Sequence, residues 1–117
     1  MAVYVDNMLM QATVGRTTSR WSHMFGDSTE ELEAFARKLH LAPAWIQYKG
    51  TWKEHYDLTE PVRLKALRMG ALDLPILTPA WSDFTNRKRE LYGMKPLAVP
   101  KQVKVEAMVE NPTLFDF

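Results

Sequence analysis

The sequence predicts a small α/β domain of two or three layers, with a short, mainly parallel sheet in the order βαβαβ-α and a C-terminal strand or arm. Three observations predict it. Short apolar, β-branched or aromatic runs alternate with amphipathic stretches at helical spacing, the pattern of parallel strands joined by right-handed crossovers. Ser or Thr stands at the head of each amphipathic stretch, where a helix needs an N-cap. The chain has 117 residues, 46% of them hydrophobic and 25% charged, which is the composition of one soluble globular domain. The domain is assigned to residues 1–98, and residues 99–117 form the arm and tail.

Residues 2–5 are apolar and β-branched, and Asp6-Asn7 ends the run, so a buried first strand is expected. Residues 11–26 are rich in Thr, Arg and Gly and read as a long irregular loop, a class of segment that is often functional. The first helix is signalled by Ser28-Thr29-Glu30-Glu31, a capping box, followed by Leu32, Phe35, Ala36 and Leu39 on one face. Acidic residues open it and Arg37-Lys38-His40 close it, as the helix dipole favours. Residues 44–48 read as a second strand, ended by Lys49-Gly50. Thr59 and Pro61 open a second helix with Val62, Leu64 and Leu67 as its apolar positions, and Gly70 stands where a left-handed residue is wanted. Residues 71–74 form a third short strand, broken by Pro75. Thr78-Pro79 opens a third helix whose buried stripe is Trp81, Phe84, Leu91 and the stem of Lys88, with Arg87-Lys88-Arg89 as a basic run on its surface. Beyond Pro100, Val103, Val105, Ala107 and Val109 alternate with polar neighbours, the period of a half-buried strand or an extended arm.

Composition excludes several classes of function. There is no cysteine, so disulfide frameworks, thiolate metal sites and cysteine nucleophiles are ruled out. Fifteen Lys and Arg balance fourteen Asp and Glu, which leaves no footprint of a general nucleic-acid binder. The N-terminal residues lack the pattern of a signal peptide, and no apolar run reaches the roughly 20 residues a bilayer span requires. A cytoplasmic protein with no membrane contact is expected. Neither a Gly-x-Ser-x-Gly elbow nor a phosphate-binding glycine motif is present.

In an open α/β sheet, ligands bind beyond the carboxyl ends of the strands. Asp6 follows the first strand, Gln47 and Lys49 end the second, and the adjoining loops carry Arg16, Arg20, His23, His55 and Asp57. In extended backbone, residues two apart share a side, so His55 and Asp57 can face one another. With Asp6 and His23 they would form a two-His, two-carboxylate set for a divalent metal, or an acid/base pair. The bland alternative has Asp57 starting the turn into the second helix and His55 bonding a backbone group. Arg16, Arg20, Gln47 and Lys49 are the candidate binding residues, the three cations as a phosphate cradle. Trp21 reads as a lid over the core or as a stacking platform.

The tail carries Leu114, Phe115 and Phe117 among its last residues. Either it docks back on the domain or it serves as a linear peptide for a partner's pocket. Pro112-Thr113-Leu114-Phe115 resembles the bacterial sliding-clamp-binding peptide in its Leu-Phe pair. Asn111 and Pro112 depart from that peptide's usual Gln and Leu.

Residues 2–75 resemble Domain of Unknown Function 4031, a family of short actinobacterial and phage proteins. The resemblance rests on Val3-Tyr4-Val5-Asp6, on Arg20-Trp21-Ser22-His23 with Asp27, on Glu30-Glu31-Leu32 with Phe35-Ala36, on Trp45 with Gln47, on His55-Tyr56-Asp57, and on Arg68-Met69-Gly70-Ala71. It implies a bacterial or phage origin and supplies no mechanism. The first functional expectation is therefore a non-enzymatic, phage-type accessory protein that binds and perturbs a host bacterial protein, the sliding clamp being one candidate. The alternative is a small metal-assisted or acid/base enzyme acting on a phosphate-bearing substrate. A nucleic-acid-binding module is the weakest of the three. A divalent metal is the one cofactor the residues could hold.

Overall fold

A computed structural model describes residues 2–97. Its elements are β1 (Val3–Val5), β2 (Met10–Val14), β3 (Thr17–Gly26), α1 (Thr29–Lys38), a 3-10 turn (Pro43–Trp45), β4 (Tyr56–Leu58), α2 (Glu60–Arg68), β5 (Leu72–Asp73) and α3 (Pro79–Leu91). The domain is α/β, with a mixed sheet of five strands. The sheet is not mainly parallel, contrary to the sequence expectation. β3 pairs antiparallel with β1, β2 and β4, and only β1 and β5 run parallel.

The error traces to residues 11–26, which form a hairpin rather than a loop. Gly15-Arg16 is a two-residue turn between β2 and β3, and Gly15 takes φ 62° at its first central position, where hairpins of this length favour glycine. Every residue of β2 is exposed. No face of that strand is buried, so the alternation that marks a half-buried strand never develops. Once β3 has turned back, its far end lies antiparallel against β1, and a short connection suffices where a parallel neighbour would need a crossover. The expected second strand at residues 44–48 is also replaced. Pro43 starts a 3-10 turn, and only Gln47 is bridged as in a strand, to His55.

The helices sit on both sides of the sheet. Val3, Val5, Met24, Tyr56 and Leu58 bury one face against Leu32, Ala36 and Leu39 of the α1 region and against Ala66 of α2. Gly26 permits the close approach of α1, since a Cβ there would lie 2.9 Å from the Leu32 Cβ. On the other face, Phe25 packs with Trp81 and Phe84 of α3 and with Met8, Leu74 and Ile76. Ser28 and Thr78 cap α1 and α3 through their side chains, whereas Thr59 makes no such bond at α2. Leu91 does not join the buried stripe and is 68% exposed. The alternating segment beyond Pro100 and the tail residues Leu114, Phe115 and Phe117 lie outside the described residues.

Candidate metal centre

The sheet register brings the polar residues together. β3 has β1 on one edge and β4 on the other, because Met24 stands opposite both Val5 and Tyr56. One step along, the Asp6 backbone N–H donates to the His23 carbonyl at 3.0 Å, and His23 stands directly opposite Asp57. Asp6, His23 and Asp57 therefore form a row across three strands, and directly opposed residues share a face of a sheet. His55, two residues before Asp57, joins them by the two-residue period of extended chain. The rings of His23 and His55 meet nearly edge to face, with centroids 5.0 Å apart.

Hydrogen bonds fix both imidazoles in the same sense. The His23 Nδ1 lies 2.7 Å from the Asp6 Oδ2. The Asp6 Oδ1 also accepts from the backbone N–H groups of His23 at 2.9 Å and Met8 at 3.2 Å, so the buried carboxylate is anchored. The His55 Nδ1 lies 2.7 Å from the Lys53 carbonyl oxygen. A carbonyl oxygen only accepts, and so does an ionised carboxylate, so Nδ1 carries the proton in each ring. In the neutral imidazole the lone pair then belongs to Nε2. Both Nε2 atoms face one oxygen, the Asp57 Oδ1, at 3.4 Å from His55 and 3.9 Å from His23. The other Asp57 oxygen accepts from the Gln47 Nε2 at 2.5 Å.

One ligand atom from each of His23, His55 and Asp57 lies within 4.8 Å of the other two. In a tetrahedral centre with bonds of about 2.0–2.1 Å, neighbouring ligand atoms stand roughly 3.3–3.4 Å apart. The His55–Asp57 separation of 3.4 Å matches that, whereas the His23–Asp57 separation of 3.9 Å is longer, so the side chains must draw in to complete the set. Asp6 is not a ligand in this geometry. It stands behind His23 and holds the ring, as carboxylates behind metal-bound histidines do. Phe25 lies 5.9 Å from the His23 ring and 6.1 Å from the His55 ring, centroid to centroid, and gives the centre an apolar wall.

The charges respond to one another. Burial lowers the affinity of His23 for a proton, but the hydrogen bond and charge of Asp6 and the charge of Asp57 outweigh it, and the His23 pKa is raised. Burial pushes Asp57 up, while His55, His23 and Gln47 pull it down further, and its pKa is lowered.

Not every expected site residue gathers here. Gln47 does, as the partner of Asp57. Arg20 is ion-paired with Glu60 of α2, and Lys49 with Glu33 of α1 at 3.2 Å. Arg16 sits at the hairpin turn. The three cations thus serve separate places and do not form one cradle. The basic run on α3 is likewise put to use within the chain. Arg87 pairs with Asp27 at 2.8 Å, Arg89 stacks over Trp52 at 4.5 Å, and the Lys88 ammonium is buried against Glu54 rather than solvated. Arg63 was not expected. Its Nε donates to the Asp6 carbonyl at 2.7 Å and its Nη2 to Asp73 at 3.0 Å, tying α2 to the ends of the parallel strands. Its only sequence signal was a charge early in a helix that follows a strand.

A pocket of about 520 Å³ lies beside β4, between the β2–β3 hairpin, the 3-10 turn and the start of α2, and Asp57 and Gln47 line it. Among the described residues, no helix is long and apolar enough to cross a membrane. A family described as protein of unknown function, DUF4031, matches residues 3–79, which include the three residues of the row and their neighbour His55. No curated protein and no solved structure matches the chain.

Proposed function

We propose that this chain, which belongs to the DUF4031 family of proteins of unknown function, is a metal-dependent hydrolytic enzyme whose divalent ion is held by His23, His55 and Asp57. One observation carries the reading. Two imidazoles present Nε2 to a single carboxylate oxygen while each Nδ1 is committed to an anchored acceptor. Rings held that way, in their neutral form, are ready to ligate through Nε2 without turning or changing tautomer.

Three protein ligands leave a coordination position open, the arrangement of catalytic rather than structural zinc. Held by these three residues, a divalent ion would supply a water of lowered pKa and a Lewis acid for a substrate oxygen. Two histidines and one carboxylate also suit ferrous iron, so the choice of metal belongs to the test. Titration calorimetry of the full chain with Zn²⁺, Mn²⁺, Ni²⁺ and, without oxygen, Fe²⁺ should show one ion bound per chain for at least one of them. His23→Ala and His55→Ala should each abolish that binding. A chain that binds none of the four at concentrations up to about 1 mM overturns the assignment.

A cytoplasmic setting and a phage-type role against a host protein remain separate proposals. The second is supported by the Leu114-Phe115 pair alone, which lies outside the described residues. Deleting residues 111–117 should abolish capture of the clamp and leave metal binding unchanged.

A further inference from the structure

We infer that the pocket beside β4 takes a neutral, ring-bearing substrate, seated against Trp21 and Trp45 with its polar group turned toward Asp57 and the metal. The inference rests on the metal-centre reading for the polar end of that substrate, and on the pocket's own chemistry for the rest.

The pocket's volume of about 520 Å³ is that of a small-molecule site. Its walls are Val14, Trp21, Leu41, Trp45 and Val62, with Gln47 and Asp57 where it meets the centre. No Lys, Arg or His lines it, and its one charged residue is the Asp57 carboxylate. Apart from an ion at the centre itself, the walls offer no cation to receive a phosphate or any other anionic group along the length of the pocket. Of the three cations that the sequence suggests for a phosphate, Arg20 and Lys49 are ion-paired elsewhere and Arg16 sits at the hairpin turn. The walls therefore favour a neutral body in the pocket over the phosphate-bearing one read from sequence.

The walls favour a planar one. Trp45 is 60% exposed, a large indole left uncovered by the packing of the described residues. The 3-10 turn and its hydrogen bond from the Trp45 N–H to the Ala42 carbonyl at 2.9 Å hold its backbone in place. Trp21 spends its indole N–H on the Ala12 carbonyl at 3.0 Å and presents apolar ring surface. Aromatic faces attract rings beyond simple area burial. At the inner end, Gln47 gives its Nε2 to Asp57 and keeps a carbonyl oxygen as an acceptor for a substrate N–H.

Two zinc-chelating probes test this on the zinc-loaded full chain. Acetohydroxamate reports the open metal position, and benzohydroxamate adds a phenyl ring. Benzohydroxamate should bind about 10- to 100-fold more tightly, the gain from burying one ring. In Trp45→Ala that advantage should fall to threefold or less, while Leu64→Ala, an exposed α2 position away from the pocket, should keep it. Inorganic phosphate in tenfold excess should not displace benzohydroxamate. Equal affinity for the two hydroxamates, or displacement by phosphate, overturns the inference and leaves the metal centre standing. If zinc does not bind, the pocket is judged on the metal-free chain, and the metal reading itself falls only if none of the four ions binds. Benzamide must then quench tryptophan fluorescence in the wild type and not in Trp45→Ala, and failure to do so overturns the inference as well.

Discussion

Two buried polar clusters begin at adjacent residues, Glu54 and His55, and they are built on opposite principles. Glu54 is closed. Its carboxylate receives the Thr29 hydroxyl at 2.8 Å, the Gly50 N–H at 3.3 Å and the Lys88 ammonium at 3.3 Å, and Lys88 also donates to the Gly26 carbonyl at 3.1 Å. One negative charge meets one positive charge, and both side chains are almost wholly buried. The His55 cluster holds two carboxylates, Asp6 and Asp57, and two imidazoles. With neutral rings it carries two uncompensated negative charges. Two protons neutralise it, and so does one divalent cation. Asp57 is also 38% exposed along its side chain, so this cluster has an entrance. The first cluster binds α3 to the sheet, and the second is a place for something to bind.

The largest expected effect breaks the closed cluster. Lys88→Met leaves Glu54 buried without its counter-charge and should cost about 3–5 kcal/mol of unfolding free energy. Urea titration measures it. Glu54→Leu combined with Lys88→Met should recover most of the loss, because a paired removal leaves no orphan charge. A loss of less than about 1 kcal/mol in the single variant would mean that the pair is not buried as described.

Next comes the residue that orients without ligating. In Asp6→Asn the amide oxygen can still accept from the backbone N–H groups of His23 and Met8, but an amide N–H then faces the His23 Nδ1. The ring turns to the other tautomer and places a proton on Nε2, which then cannot ligate. Metal affinity should fall about 10- to 100-fold, the usual effect of removing a partner behind a metal-bound histidine. His23→Ala and His55→Ala should lose more. If all three variants bind the ion like the wild type, the ion sits elsewhere.

Acidity separates the clusters further. The His23 pKa is raised above its ordinary value near 6.5. Without metal, the stability it contributes is full below about 6.5 and is lost as pH rises through the higher folded value, with a slope of at most about 1.4 kcal/mol per pH unit for one proton. Metal binding runs the other way, since the ion displaces protons and gains as pH rises through the same window. Thermal melts with and without zinc across this window should therefore diverge with increasing pH. Parallel curves would remove the link between His23 and the ion. The lowered Asp57 pKa acts at the acid end, where its stabilising contribution is lost as pH falls through the folded value.

Much of the helical half of the fold was legible, because helix signals are local. Ser28 and Thr78 cap the helices they were expected to cap, and Gly70 takes φ 106° past the end of α2. Sheet topology is not local. Nothing in Thr17 to Arg20 states that they pair with residues lying just before them, and a strand exposed on both sides carries no burial pattern. The approach of His55 to Asp57 needed only the two-residue period. The approach of His23 to Asp6 and Asp57 depends on antiparallel register, whereas the sequence reading invoked parallel strand ends. The burial of the Lys88 stem was legible in the helical stripe, but that of its ammonium was not, for a related reason. Its buried partner, Glu54, is 34 residues away in sequence and lies in an irregular segment.

The smallest effect should come from an ion pair that belongs to neither cluster. Arg20 and Glu60 join β3 to α2 at the surface, with side chains 52% and 35% exposed. Solvent and salt screen such a pair, and ordering two long side chains costs entropy. Arg20→Ala should therefore change stability by no more than about 1 kcal/mol, and by less in high salt. Zinc affinity should stay within twofold of the wild type, because Arg20 touches none of His23, His55 and Asp57. That comparison is sharp because Arg20 lies only three residues from His23 on the same strand. A large fall in zinc affinity would show that the centre depends on charge across the whole of β3, and the separation between a closed structural pair and an open binding cluster would have to be redrawn.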